Sequence, residues 1–244
     1  MPKKTFFEDN ILLETTDYIF WNKPANVASL KERGDSKADN VLSLAKNYTH
    51  TAILCHRLDK QTSGVILIAK NIEAHRHASI QFQKKLTAKV YHAFAKGKTF
   101  LENHIVDLPI LIDEKRRAVR IDKQLGKKSI THFTTIKNYT DYSLIACNIK
   151  TGRMHQIRIH LSVLGHPICG DTLYGGEDIF LSSIKRKYQL NKTKEEKPLI
   201  KRFALHAFEL CINDINGNWI CVNAKYPKDF EVLKKQLDKL ASLD

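Results

Sequence analysis

The pattern of apolar positions along the chain predicts more strands than helices. The run Val65–Ala69 is apolar throughout and lies between Ser63-Gly64 and Lys70-Asn71, which is typical of a strand buried on both faces. Residues 89–95 alternate between apolar and polar and stop at Gly97, as strand residues do. Further strands are predicted at 17–24, as a hairpin within 113–128, twice within 130–149 and twice around Gly217.

Two segments carry apolar positions at helical spacing, 71–86 and 227–243, and in the second Pro227 suits a first helical turn. The positions on the predicted apolar stripes are Ile72, His75, Ser79, Phe82 and Leu86 in the first helix, and Phe230, Leu233, Leu237 and Leu240 in the second. Because strands are often consecutive along the chain, we expect an α+β fold with a central, largely antiparallel mixed sheet and flanking helices. The sequence has no internal repeat and no Pro/Gly/Ser-rich linker. A single domain over 1–244 is therefore predicted, with its core at about 17–226 and a C-terminal helix at about 227–243.

The charge of the chain is strongly positive and unevenly placed. The net charge is +14, yet the first 50 residues carry 7 basic and 7 acidic side chains, so the other 194 hold 33 basic and 19 acidic ones. This surplus predicts a polyanionic partner such as a nucleic acid. The segments 113–128 and 184–202, the second an exposed loop or short helix, are candidate outer contacts for it. No segment approaches the roughly 18 apolar residues of a membrane span, and no basic amphipathic helix is evident, so no membrane association and a cytoplasmic location are expected.

The cysteines and histidines do not form a metal or disulfide pattern. The five cysteines are scattered without a C-x-x-C pair, and we expect reduced thiols. The pairs His75-x-His77 and His155-x4-His160 have no neighbouring cysteine and no H-E-x-x-H helix. Neither a metal nor another cofactor is predicted.

The stretch HRLDKQTSG, His56–Gly64, places one carboxylate between basic residues. If this stretch is extended, Arg57 and Asp59 share one face and Leu58 points to the other. A structural ion pair beside a turn at Thr62-Ser63-Gly64 would explain such a pattern without any catalysis.

A second basic stretch, TGRMHQIRIHL, begins at Thr151 and places Arg153, His155 and Arg158 close together. Taken by itself it is interpreted as a solvated basic strand, with Ile157, Ile159 and Leu161 inward and Arg158 and His160 on the opposite face. Asp171 follows as the obvious second acid for a glycosidase-like carboxylate pair with Asp59, although no spacing places the two together.

The two stretches together closely resemble the two signature motifs of the RluA-type pseudouridine synthases, with the second continuing as SVLGHPICGD-x-LYGG. The strand KVYHA between them resembles the tyrosine motif of that family, and Asn22-Lys23-Pro24 resembles its initial strand. The resemblance extends from about Asp17 to Tyr226.

This resemblance implies the pseudouridine synthase fold, a basic catalytic cleft, and a uridine isomerase that acts on ribosomal or transfer RNA without metal or cofactor. The base is detached from C1′, turned over and rejoined through C5. Asp59 is implied as the catalytic carboxylate, attacking C1′ or removing the C2′ proton; Tyr91 would lie against the uracil, and Arg158 would pair with Asp59. Arg57 would hold a displaced phosphate or fill the space that the extruded base leaves. The RNA contacts implied are Lys23, His56, Arg57, Arg153 and His155.

Some positions depart from the family pattern. Met154 stands where threonine or serine is more common, and is expected to alter packing more than chemistry; Asn26 follows Pro-Ala where a glycine is usual. The small N-terminal RNA-binding module of many relatives is not expected, and a monomer is the default.

Two other functions stay open on the sequence alone. A non-catalytic RNA-binding or ribosome-assembly factor on the same fold would share the basic charge. A metal-dependent ribonuclease is ranked last.

Overall fold

A computed structural model describes residues 5–31, 39–115, 118–185, 188 and 195–241. The strands are β1 (Ile11–Glu14), β2 (Tyr18–Lys23), β3 (Ile53–Leu54), β4 (Ser63–Ala69), β5 (Ala88–Lys96), β6 (His104–Asp107), β7 (Ile110–Asp113), β8 (Ala118–Ile121), β9 (Ile130–Asn138), β10 (Tyr142–Ile149), β11 (Leu205–Asn213) and β12 (Trp219–Asn223). The helices are α1 (Val41–Tyr48), α2 (Ile72–Lys84), α3 (Gln156–Val163), α4 (Leu181–Ile184) and α5 (Lys228–Leu240), with short 3-10 turns at Glu8–Asn10 and Thr172–Tyr174.

The strands pair mostly antiparallel and helices accompany them, so the predicted α+β class is confirmed. The chain divides into two compact units, each made of two separate segments. The first unit contains residues up to Val90 together with His206–Lys225, and the second contains Tyr91–Leu205 together with the residues from Tyr226 onward. The prediction of a single catalytic domain stays a prediction.

In the first unit the strand order is β1-β2-β4-β11, with β3 also paired to β4 and β12 to β11. Strand β4 is buried along its whole length, which confirms the strand predicted from the apolar run at its centre. Its start differs from the prediction, since Ser63 and Gly64 belong to the strand and not to a turn. The reason is the parallel pairing with β11: at Gly64, with φ +115°, a Cβ atom would lie 2.1 Å from the carbonyl oxygen of Ala207. Only glycine allows the two backbones to approach this closely.

Helix α2 forms as predicted, but with a different buried face. Its buried residues are Ala74, Ala78 and Gln81, whereas Ile72 is 73% exposed. Leu86 of the predicted stripe lies beyond the end of the helix and is 53% exposed. Gln81 is buried because its amide group donates to the carbonyl of Asn213 and accepts from the N–H of the same residue, each at 2.8 Å. A polar side chain with both hydrogen bonds satisfied thus replaces the expected apolar stripe.

The prediction that all five cysteines are reduced is wrong for two of them. Cys211 and Cys221 face each other across the β11–β12 hairpin and are joined by a disulfide. The register of the hairpin creates this pair, and no spacing rule for sequences indicates it. Cys55, Cys147 and Cys169 are free thiols.

In the second unit the strand order is β5-β10-β9-β6, and β7 and β8 form a separate antiparallel hairpin. A hairpin predicted over the basic segment 113–128 is present but displaced towards the N-terminus, with its strands at Ile110–Asp113 and Ala118–Ile121. The C-terminal helix α5 is confirmed, with Phe230, Leu233 and Leu237 buried. The segment 184–202 lies only in part within the described residues.

The basic strand proposed for the second motif is wrong, because Gln156–Val163 is the helix α3. Ile157 and Leu161, which a strand would also place inward, lie one helical turn apart and are both buried. His155 precedes the helix with φ +52°, a left-handed conformation that turns the chain out of the extended path. Arg158 and His160 are buried in the same helix rather than solvated.

Candidate active site

The candidate residues fall into both units. Lys23, His56, Arg57 and Asp59 belong to the first, and Tyr91, Arg153, His155 and Arg158 to the second.

Asp59 lies in an irregular loop between β3 and β4. The N–H of Thr62 donates to the Asp59 carbonyl at 3.0 Å and closes a tight turn directly after the aspartate. Leu58 is 7% exposed, Arg57 is exposed and Asp59 is partly exposed. This burial agrees with the alternation expected from the sequence.

The backbone on both sides of Asp59 is clamped by the segment that follows β2. Before the aspartate, the buried Ser29 hydroxyl donates to the carbonyl of Leu58 at 2.7 Å and accepts from its N–H at 3.0 Å. After the aspartate, the N–H of Asn26 donates to the carbonyl of Lys60 at 2.8 Å. Asn26 has φ +67°, a left-handed conformation that glycine adopts freely and that asparagine tolerates better than most residues. Asn26 stands where the family usually has glycine, and its backbone adopts a conformation typical of glycine.

Lys23 strengthens the same clamp from inside the protein. Its side chain is fully buried, and its ammonium donates to the carbonyls of Pro24 at 3.0 Å, Val27 at 2.7 Å and Lys60 at 3.0 Å. Carbonyl oxygens thus compensate the buried charge with their dipoles. The ammonium predicted to contact RNA is bound to the backbone of the Asp59 loop.

His56 fixes the other end of the loop. Its Nε2 accepts a hydrogen bond from the N–H of Leu67 at 3.0 Å, and its ring packs against Phe82 with centroids 5.1 Å apart. Desolvation by burial, aided by the positive charge of Lys89, lowers the pKa of His56 from 6.5 to about 3. The imidazole is therefore neutral at physiological pH and can act as the acceptor that this contact requires.

In the second unit, Arg158 forms a buried ion pair with Asp171. Its Nε donates to Oδ2 at 2.6 Å and its Nη2 to Oδ1 at 2.7 Å, and both side chains are almost completely buried. The guanidinium also packs over Tyr174 at 4.9 Å and Phe203 at 4.2 Å. Such a bidentate, stacked pair holds the arginine in one orientation. Asp171, considered as a second acid, is thus an arginine partner, and the pairing of Arg158 with Asp59 stays a prediction.

His155 is held by a relay of hydrogen bonds at the start of α3. Its Nδ1 lies 2.8 Å from the Tyr174 hydroxyl, which accepts from the N–H of Val119 at 2.9 Å. The direction of the bond between His155 and Tyr174 follows from the tautomer of the imidazole. The neighbouring Met154 packs against the small core of Ile110, Val119 and Tyr174, in agreement with the packing role expected for it.

Gln156, inside the second motif, was not among the predicted site residues. Its Oε1 accepts from the Thr151 hydroxyl at 2.7 Å and from the N–H of Arg153 at 3.1 Å. Its Nε2 donates to the carbonyl of Ile130 at 3.0 Å and to the Thr131 hydroxyl at 2.9 Å. Gln156 thereby fixes the backbone on which the basic side chains are mounted. In the sequence, its position between His155 and Arg158 could have indicated a role in the site.

The remaining candidates differ in exposure. Arg153 is exposed, and its Nε donates to the carbonyl of Lys128 at 3.3 Å. Tyr91 is 9% exposed within β5. Among the described residues, no group of three or more histidine, cysteine or acidic side chains could hold a metal ion. In the same part of the chain, no helix is long and apolar enough to cross a membrane.

Known proteins are similar to this chain over most of its length. A family model described as RNA pseudouridylate synthase matches residues 17–163. The ribosomal large subunit pseudouridine synthase D of Borreliella burgdorferi is 36% identical over 247 residues, covering 96% of this chain and 70% of that protein. The protein of the same name from Haemophilus ducreyi is 32% identical and covers 93% of this chain and 70% of its own length.

A solved structure shows the same fold. Human RNA Pseudouridylate Synthase Domain Containing 4 has a TM-score of 0.70 at 20% identity and covers 94% of this chain and 93% of its own. The family model spans more than half of this chain and includes the Asp59 loop and all of α3. This chain belongs to the RNA pseudouridylate synthase family, in its RluA-type branch, and is an enzyme that isomerises uridines of RNA to pseudouridine.

Proposed function

We propose that this enzyme modifies large-subunit ribosomal RNA and that Asp59 is its catalytic carboxylate. The relatives from Borreliella burgdorferi and Haemophilus ducreyi are named for that RNA. The net charge of +14 suits a large folded polyanion, for which phosphate contacts supply affinity and RNA shape supplies selectivity.

The clamped loop carries the assignment of Asp59. Leu58 is held by Ser29, and Lys60 by Lys23 and Asn26, so the backbone on both sides of the aspartate is fixed. The carboxylate itself is left partly exposed. A reacting group held in one position lowers the entropic cost of reaching the transition state.

The reaction breaks the N1–C1′ bond and forms a C5–C1′ bond, with one proton leaving C5 and one reaching N1. Asp59 attacks C1′ or removes the C2′ proton, and both routes are compatible with a single carboxylate. Tyr91 lies against the uracil and assists removal of the C5 proton. Arg158 orients and stabilises the charged Asp59.

The five predicted RNA contacts divide by what their side chains do. We assign the exposed Arg57 to the phosphate or the space of the extruded nucleotide, and the exposed Arg153 and the partly exposed His155 to the backbone. Lys23 and His56 act on the loop, since their polar atoms bind the protein's own backbone. The enzyme works as a monomeric, single catalytic domain in the cytoplasm.

The test is transcriptome-wide pseudouridine mapping in a strain that lacks this protein, complemented by the wild type or by Asp59→Asn. Sites in large-subunit ribosomal RNA that only the wild type restores would support both the substrate and the aspartate. Sites restored only in transfer RNA would overturn the substrate, and an active Asp59→Asn protein would overturn the catalytic assignment. If both forms restored no site but captured the same RNA, a binding factor would replace the enzyme.

A further inference from the structure

Lys89 lies on β5. Within the described part of the chain, no carboxylate lies within ion-pair or hydrogen-bond distance of its Nζ. Its resolved contact is with an aromatic ring, the Nζ being 5.5 Å from the centroid of Phe82. Burial alone lowers the pKa of Lys89 from 10.5 to about 8, so the ammonium has lost much of its hydration without gaining a counter-charge.

The rings of Phe82 and His56 lie near Lys89. Lys89 and His56 both contact the Phe82 ring, the imidazole with its centroid 5.1 Å from that of Phe82. His56 is neutral, and its pKa is itself lowered in part by the charge of Lys89. An unpaired buried charge costs several kcal/mol, so a protein keeps one where the charge has a use.

The location of Lys89 near the Asp59 loop indicates what its charge is used for. His56, which shares the Phe82 ring with Lys89, is three residues before Asp59 and anchors the catalytic loop to β4. Arg57, the next residue, is exposed. The Lys89 side chain is itself partly exposed, so an anion from solvent can reach it.

We propose that Lys89 binds a phosphate of the substrate RNA backbone beside the Asp59 loop, with Phe82 and His56 as the neutral walls of this anion site. The inference rests on the proposed function and adds a substrate contact to it. A lysine ammonium is a compact point charge suited to a phosphodiester. In a partly dehydrated site such a contact is stronger than one at the open surface.

The test compares Lys89→Met with Lys84→Met. Both substitutions remove one positive charge from the first unit, but Lys84 is exposed at the end of α2. The binding of an in vitro transcript of large-subunit ribosomal RNA is measured by filter retention over a range of salt concentrations. Single-turnover isomerisation is measured at saturating enzyme on the same transcript, and urea unfolding on the protein alone.

For Lys89→Met we expect RNA affinity to fall about tenfold at ~100 mM salt, and the slope of log affinity against log salt to shrink by about 0.7–0.9, the value for one phosphate contact. The isomerisation rate at saturation should stay within about threefold, because the contact is made equally in the ground and transition states. The urea midpoint should rise, since an uncompensated buried charge is removed. Lys89→Arg should restore affinity, and Lys84→Met should change affinity and its salt slope much less.

Other outcomes would overturn the proposal. A lower urea midpoint with unchanged RNA affinity would make Lys89 structural. A lost isomerisation rate at unchanged affinity would make it a proton-transfer group. If the wild type binds the transcript without isomerising it, the proposed substrate fails, while the affinity comparison still decides the role of Lys89.

Discussion

The ammonium of Lys23 donates a hydrogen bond to the carbonyl of Lys60, the residue directly after Asp59, over 3.0 Å. The same ammonium also donates hydrogen bonds to the carbonyls of Pro24 and Val27. One buried cation thus connects the turn after β2 to the Asp59 loop, and the position of the loop depends on a contact far from it in sequence.

Lys23→Met should destabilise the protein strongly. The change leaves three carbonyls without their donor in the interior of the first unit, which is expected to lower the free energy of unfolding by about 2–4 kcal/mol. Urea unfolding followed by circular dichroism measures the change. Lys46→Met, at an exposed position of α1, is the control and should stay within about 0.5 kcal/mol. Equal stability of the two variants would show that the buried ammonium does not hold the loop.

The left-handed backbone at Asn26 predicts that two small substitutions differ in their effect on stability. Asn26→Gly should change stability by less than about 0.5 kcal/mol, because glycine adopts φ +67° without strain. Asn26→Ala should cost about 1–2 kcal/mol, because alanine has a Cβ clash in that conformation and no polar group to offset it. Thermal unfolding of both variants decides the matter, and an alanine variant as stable as the glycine variant would contradict the prediction.

Because Arg158 and Asp171 form a buried ion pair, we expect Asp171→Asn to lower the stability of the protein strongly. Removing the carboxylate charge weakens the bidentate pair of a guanidinium that is buried in the second unit and should lower stability by about 3–5 kcal/mol. Glu177→Gln breaks the exposed ion pair with Lys96 in the same unit and should cost less than about 1 kcal/mol. Urea midpoints of the two variants test this ordering, and a reversed order would refute it.

His56 predicts a loss of stability in acid. The unfolded chain takes up a proton on this residue near pH 6.5, whereas the folded protein does so only near pH 3, owing to desolvation and to the charge of Lys89. Between these values the unfolded state binds more protons, so stability falls as the pH falls through this window.

His56→Gln keeps an oxygen that can accept from the N–H of Leu67 but removes the titration. The slope of stability against pH in that window should therefore decrease by up to about 1.4 kcal/mol per pH unit. Urea unfolding from pH 6.5 down to pH 4 measures the slope. His50→Gln, at an exposed position, is the control and should leave the slope unchanged. An unchanged slope in His56→Gln would mean that the folded protein binds the proton normally.

Patterns of apolar and polar residues within short stretches of the sequence were sufficient to predict several strands and helices. The apolar run of β4, the alternation of β5, the hairpin of β7 and β8 and the stripe of α5 all appear in the structure. The resemblance of two motifs indicated the family, which the family model and the curated relatives show. These features depend on neighbours in sequence, where the periods of strand and helix act directly.

The tertiary structure decided which polar groups are buried and what they bind. Gln81 of α2 is buried because β11 offers it both a donor and an acceptor, and Arg158 lies in a helix because its motif packs into the second unit. The disulfide of Cys211 and Cys221 depends on a hairpin register. Likewise, the clamp on Asp59 joins positions about thirty residues apart. By itself the sequence determined the periodic elements, the charge and the motif residues, whereas partners brought together by folding decided how each polar side chain is satisfied, since hydrogen bonding depends on distance in space and not along the chain.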